Sequence, residues 1–241
     1  MGTVIETDGD FSSLPYGLLP PVRGAVLWSY FGADLASSLK NEAIPDQPLT
    51  AVGSPEIHAN FARVGDGPTN CFQSQVEDTD NLTAFVVARA PGETANIRMI
   101  ANSGFANLPA GYLIFTLQGA NMGVGWVWED TSATSYTQAL ADLSQWQLYA
   151  WRWTSGVGPA LFNLTTGNYV VRPEGTGVTP VRSTGAGQFR IGSNHKQSSS
   201  AAGGQSDIAF VALSPLALSD GEIVLAGNAI RSRLAARGIT I

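Results

Sequence analysis

Cysteine is almost missing from this chain: Cys71 is the only one in 241 residues, which excludes an intrachain disulfide and any zinc site built from several thiolates. Histidine is nearly as scarce. His58 and His195 are the two present, and neither has a second imidazole or thiol at ligand spacing. Charged residues form 13% of the chain, against about a quarter in an average globular protein. Thirteen Lys and Arg against 19 Asp and Glu leave a net charge of −6, with no basic footprint for a phosphate backbone, so nucleic acid is not an expected partner. No apolar run reaches the roughly 18 residues that cross a bilayer, and membrane insertion is not expected. Met1–Asp10 is acidic and no Lys or Arg precedes Arg23, the reverse of a secretory leader, so no signal peptide is expected.

Catalytic signatures are missing too. No G-x-S-x-G elbow occurs, and Cys71 lies in a Pro-Thr-Asn-Cys-Phe run with no following helix to lower its pKa. Gly123-x-Gly125 and Gly185-x-Gly187 lack the third glycine and the helix that cradle a phosphate. Neighbouring strand residues point to opposite faces, so Glu129-Asp130 makes a poor acid/base pair, and Glu77-Asp78-Thr-Asp80 sits in an expected turn. Asp78-x-Asp80 and Asp8-Gly-Asp10 offer hard oxygen donors without the further carboxylates of a calcium loop; turn capping explains them equally. The expectation is therefore no catalytic residue, no metal and no cofactor.

What the chain has in quantity is glycine, 27 residues, and apolar side chains, 44% of the total. Residues 1–22 read as an irregular arm interrupted by Asp8-Gly-Asp10, Ser12-Ser13, Pro15 and Pro20-Pro21. From there on, short aromatic and β-branched segments alternate with Gly, Pro, Asn, Asp and Ser, the spacing of a sandwich. Strands are expected over 25–31, 57–63, 82–89, 97–101, 112–118, 123–128, 147–153, 160–163, 169–172, 189–192 and 208–213. In the segment 146–153, Trp146, Leu148 and Ala150 share one face while Tyr149, Trp151 and Trp153 share the other, so both faces carry apolar weight and the strand belongs inside a sheet. Thr165-Thr166-Gly167-Asn168 forms a hairpin turn, with Gly167 supplying a positive φ.

One helix is signalled, over 220–237. Ser219 and Glu222 form an S-x-x-E capping box, Gly238 stands as the residue after the helix, and Ile223, Ala226 or Gly227, Ile230 and Leu234 line one face. Arg231, Arg233 and Arg237 favour the negative end of the helix dipole. The helix is expected to pack on the edge of the sandwich.

Six tryptophans with polar loops and few charges suit a glycan, since sugars stack on aromatic rings while Asn, Gln and backbone groups bond their hydroxyls. The expected ligand-binding residues are Trp126 and Trp128, beside the two glycines of Gly123-Val-Gly125, with Asn194 and His195 in a Gly/Ser-rich loop.

Three segments resemble the concanavalin A-like lectin/glucanase superfamily in its laminin-G-like form. They are Trp146-Gln-Leu-Tyr-Ala-Trp-Arg-Trp-Thr154, Gly187-Gln-Phe-Arg-Ile-Gly192, and the run from Asp207 to Ile223 with its Leu-Ser-Asp-Gly-Glu-Ile approach to the last helix. The likeness covers roughly residues 82–241. Trp28-Ser-Tyr30, Leu39-Lys-Asn41, Val52-Gly-Ser-Pro55 and the ending Leu234-Ala-Ala-Arg-Gly-Ile239 are similar to versions carried by tailed phages and prophages. Gln147 stands where that family usually has histidine, and no calcium-site acid pair can be placed.

The resemblance implies an all-β, concanavalin A-like jelly-roll sandwich of two antiparallel sheets over 23–241, closed by one C-terminal helix. By association it implies a phage or phage-like particle surface protein, in the tail, a fibre or a head spike or decoration. Such a protein would be made in the bacterial cytoplasm, anchored to other virion proteins through residues 1–22, and would bind host cell-surface polysaccharide as a homo-oligomer. The alternatives are a purely structural decoration or spike subunit without ligand, and a polysaccharide-cleaving enzyme.

Overall fold

The computed structural model describes residues 22–65, 70–92, 97–102, 111–118, 121–127, 133–139, 142–171, 187–193, 195 and 204–241, with backbone alone for 98, 111–118, 121–127, 133–139 and 168–171. The expected arm, 1–22, lies outside them except for Val22. In chain order the elements are β1 (Leu27–Tyr30), α1 (Leu35–Ser38), β2 (Thr50–Val52), β3 (Glu56–Ile57), β4 (Ala62–Gly65), β5 (Cys71–Gln73), β6 (Leu82–Arg89), β7 (Ile97–Ala101) and β8 (Gly111–Gln118). They continue with β9 (Asn121–Val127), β10 (Ala133–Ala139), β11 (Gln147–Thr154), β12 (Gly158–Asn163), β13 (Asn168–Val171), β14 (Arg190–Ile191), β15 (Gln205–Ser214) and α2 (Asp220–Ala235).

Among the described residues, two antiparallel sheets form the sandwich. One has eight strands in the order β13-β12-β11-β6-β15-β4-β3, with β1 also on β15; the other has seven, β10-β9-β8-β7-β14-β5-β2. The ten residues of β15 organise the larger sheet. One side of β15 pairs with β6, with a register shift between Ile208 and Phe210, while its other side pairs first with β4 and then with β1.

Side-chain alternation then builds two apolar layers. Tyr149, Trp151 and Trp153 of β11, Leu82, Ala84, Val86 and Ala88 of β6, and Val211 and Leu213 of β15 meet Phe72, Ile100 and Ile191 of the smaller sheet in the inter-sheet core. Leu148, Ala150, Phe85, Val87, Phe210 and Trp28 point the other way, under Ile223, Ala226, Ile230 and Leu234 of α2. The helix thus covers the face of the eight-stranded sheet and not the edge of the sandwich, because both faces of β6, β11 and β15 are apolar and the outer one must also be buried. Each fully buried Leu or Ile contributes about 1.5–3 kcal/mol.

Both ends of α2 follow the sequence signals. Ser219 Oγ accepts from Glu222 N at 3.3 Å while Glu222 Oε2 accepts from Ser219 N at 2.8 Å. At the other end Gly238, at φ 78°, donates to Ala235 O at 3.0 Å and Ile239 donates to Leu234 O at 2.9 Å, a Schellman motif whose Ile239 and Leu234 both enter the outer apolar layer. The arginines of its second half are tied down: Arg237 donates to Phe31 O at 3.1 Å, Arg233 to Tyr30 Oη at 3.4 Å, and Arg231 to Asn228 Oδ1 and Leu164 O.

The single strand expected over 57–63 is instead a hairpin. β3 ends at Ile57 and β4 starts at Ala62, with His58 N donating to Phe61 O at 2.9 Å to close the turn. Ala-Asn in its middle supplies turn chemistry that the alternating apolar pattern hides. Buried Asn41 fixes the preceding loop. Its Oδ1 accepts from Trp28 N and Ala43 N, both at 3.1 Å, and its Nδ2 donates to Val26 O and Gln47 O at 2.9 and 3.2 Å.

Candidate functional site

The seven-stranded sheet turns one face to the core and the other outward. Ile191 is buried in the core, so its neighbour Arg190 belongs to the outer face. Registers extend that position into a cross-strand row, Thr50–Gln73–Arg190–Ala101–Leu113–Gly125–Ser135, running across six strand junctions. One end is polar. Arg190 Nε donates to Gln73 Oε1 at 2.9 Å, and Gln73 Nε2 donates to Ser74 O at 3.0 Å, so the amide and the guanidinium hold each other in place. The middle of the row passes through Ala101, which is fully buried, and Leu113, and it ends at Gly125 and Ser135.

His195 follows the end of β14. The chain reaches it through Gly192, whose φ of 93° and 2.4 Å clearance between a built Cβ and Val64 Cβ admit no side chain. The His195 Nε2 lies 2.7 Å from Gln188 O, so the ring donates there and its Nε2 carries the proton. Burial first, and the charge of Arg190 as well, push its pKa below the usual imidazole value, against the carbonyl bond that raises it. The ring is neutral at pH 7 and is a hydrogen-bonding group rather than a cation.

Of the residues expected from sequence, His195 is thus placed beside this row. Trp126 lies in β9, opposite Tyr112 of β8 and Thr134 of β10 and one residue beyond Gly125 of the row. Two strands, β7 and β8, separate β9 from β14, so Trp126 and His195 share a sheet without sharing a strand pair. Trp128 and Asn194 lie outside the described residues. Sequence reasoning missed Thr50, Gln73 and Arg190; only the Phe-Arg-Ile-Gly strand hinted at an outward arginine, and the register that joins it to Gln73 is not local.

Acid, base and nucleophile chemistry finds little footing among the described residues. Burial pushes the Cys71 thiol up to about 11, which keeps it a buried apolar group. Asp34 caps α1 through Ser37 N, Asp142 caps a turn through Ser144 N, Glu222 closes the box on α2, and Asp207 is bound by two arginines. No group of three or more His, Cys, Asp or Glu that could hold a metal occurs among the described residues. Three of the four tryptophans with described side chains, Trp28, Trp151 and Trp153, are buried, while Trp146 is half-buried.

No family model matches the sequence, and no curated protein matches it. Solved structures do match the fold. The binding domain of Paraclostridial mosquitocidal protein 1 superposes with a TM-score of 0.62 at 9% identity, covering 86% of this chain and 52% of that one. The binding domain of botulinum neurotoxin DC, solved in complex with SialylT, gives 0.62 at 8%, again 86% and 52%. A structure of botulinum neurotoxin type C, a toxin dependent on interaction with two ganglioside molecules to get into cells, gives 0.62 at 8%, with 86% and 51%. These are toxin binding domains and not phage proteins, and the chain spans about half their length. At such identity the likeness is one of fold, and it agrees with the lectin-like sandwich of two antiparallel sheets and one C-terminal helix.

Proposed function

We propose that this chain is a non-catalytic, lectin-like module that binds host-surface glycan through the outer face of its seven-stranded sheet. The observation that carries the reading is the polar end of the row, where Thr50, Gln73 and Arg190 stand side by side and Arg190 is hydrogen-bonded to Gln73. Such a surface offers donors and acceptors to sugar hydroxyls without a carboxylate pair to cleave them. Asn194 and His195 complete the proposed ligand contacts. The likeness to toxin binding domains supports it, one of them from a toxin that interacts with gangliosides, which are glycan-bearing lipids.

The finer reading sets this module on the surface of a phage or phage-like particle, with residues 1–22 as the arm that joins it to other virion proteins. Homo-oligomerisation fits that setting, because linking several weak sugar sites raises avidity by orders of magnitude without new contacts. The second reading, a structural subunit without ligand, draws on the exposed apolar pair Val224 and Leu225 on α2, 50% and 69% exposed.

A glycan array probed with the full chain separates the two. The first reading expects binding to a defined set of bacterial surface polysaccharides, weakened at least about tenfold by His195→Ala and Arg190→Gln. An absence of binding, together with loss of particle incorporation on deleting residues 1–22, reverses the order of the two.

A further inference from the structure

The eight-stranded sheet carries its own cross-strand row, of alternating charge, at the rim of the layer under α2. Glu56 stands opposite Arg63, Arg63 opposite Asp207, and Asp207 opposite Arg89. Asp207 is 1% exposed, and three N–H groups satisfy it: Arg63 Nε on Oδ1 at 2.8 Å, Arg63 Nη2 on Oδ2 at 3.2 Å and Arg89 Nε on Oδ2 at 3.0 Å. The guanidinium of Arg89 also lies over two half-buried rings, its Cζ 5.1 Å from the centroid of Phe61 and 4.5 Å from that of Trp146. Phe61 is itself stacked on His58 at 4.3 Å and meets Trp146 edge-on at 5.7 Å.

These contacts leave one part of Arg89 unused. Its Nε is taken by Asp207 and its plane by the rings, but its two terminal amines meet no acceptor among the described residues, and its side chain is 29% exposed. Arg63, 34% exposed, keeps its Nη1 in the same condition. Two guanidinium groups share one buried carboxylate, while the other acid of the row, Glu56, is 60% exposed and 3.0 Å from His58 Nε2. An arginine fork already immobilised by a carboxylate and two rings loses little further rotamer freedom when it takes a second oxyanion. Bidentate N–H pairs of this kind match carboxylate and phosphate oxygens.

We propose that Arg89, with Arg63, forms an oxyanion subsite for an acidic saccharide unit, its carboxylate or phosphate on the guanidinium edge and its ring carbons along the rims of Phe61 and Trp146. This rests on the glycan-binding reading but lies on the other sheet, so the two can fail separately. The full chain is titrated with a uronate oligosaccharide, a neutral oligosaccharide of matched length and inorganic phosphate, for the native protein, Arg89→Lys and Arg190→Gln. Lysine keeps the charge beside Asp207 and loses the fork. The expected result is uronate binding about tenfold tighter than neutral binding, a preference lost in Arg89→Lys at an unchanged melting midpoint, kept as a ratio in Arg190→Gln while that substitution weakens both sugars alike, and reduced by salt.

Competition by inorganic phosphate at equal strength identifies phosphate as the group taken and supports the subsite. Should Arg89→Lys unfold the protein, the Arg89 side-chain nitrogen resonances of the native chain decide the matter: they shift on uronate or phosphate addition if the subsite exists. Unmoved resonances, unchanged uronate affinity in a folded Arg89→Lys, or equal binding of neutral and acidic sugars each overturn it. Binding of the neutral oligosaccharide alone leaves the glycan reading standing; binding of phosphate with no saccharide leaves the subsite and removes that reading.

Discussion

At the scale of single residues, buried polar groups and tight glycines carry the most exacting constraints. Asp207 is a carboxylate removed from water and compensated by three N–H groups, so Asp207→Asn strands two arginines that remain about a third exposed. That partial exposure reduces the usual cost of breaking a buried pair to about 1–3 kcal/mol, measurable by urea unfolding; no change would show the row to be ornamental. Two glycines make an opposed pair. Gly192→Ala forces a Cβ to 2.4 Å from Val64 at a φ of 93°, and is expected to cost about 2 kcal/mol or more. Gly221, in the first turn of α2, has nothing within 4 Å of an added Cβ, so Gly221→Ala should stabilise by about 0.5 kcal/mol. A ranking of the two melting midpoints in the opposite order would contradict this account of the backbone.

At the scale of elements, α2 shows how far local chemistry reaches. Its cap, its apolar stripe and its closing glycine are all legible because each is a short-range pattern. Ser219→Ala should cost about 1 kcal/mol. The Glu222 carboxyl is lowered to about 2, first by the Arg23 hydrogen bond and then by those of Ser219. A lowered folded-state pKa means that its contribution to stability is present above the ordinary value of 4.5 and is lost as pH falls toward 2. Glu222→Gln should therefore flatten the fall of the melting midpoint across that window, and an unaltered pH profile would refute the linkage.

Strands divide along the same line. β6 and β7 match their expected limits because strong alternation is bounded by turn residues. β10, Ala-Thr-Ser-Tyr-Thr-Gln-Ala, was invisible because it has little apolar contrast, and β2 and β5 because three residues make no period. The candidate rows were equally hidden: Gln73 and Arg190, or Arg63, Asp207 and Arg89, become neighbours through registers spanning more than a hundred positions. His195 was legible as a loop histidine, but its lowered pKa comes from burial and from Arg190, against the bond to Gln188 O, and none of these is a local pattern.

At the scale of the whole molecule, one sheet is packed on both faces, by the second sheet and by α2, while the second sheet carries Thr50, Gln73 and Arg190 side by side on its far face. The proposed binding surface thus lies opposite the helix, and the two faces are separable by mutation. Arg190→Gln and Asp207→Asn lie on different sheets, so their effects on stability should add within about 0.5 kcal/mol. Larger coupling in a double-mutant cycle would mean that the layers respond as one.

The central claim is that the outward face of the seven-stranded sheet holds a sugar and leaves it intact. Amide exchange of the full chain, followed with and without a glycan selected on an array, measures this directly. Protection concentrated on β2, β5 and β14, with the glycan recovered at its original length, is the predicted result. Protection confined to α2 or to the eight-stranded sheet, or recovery of shortened glycan, would contradict it.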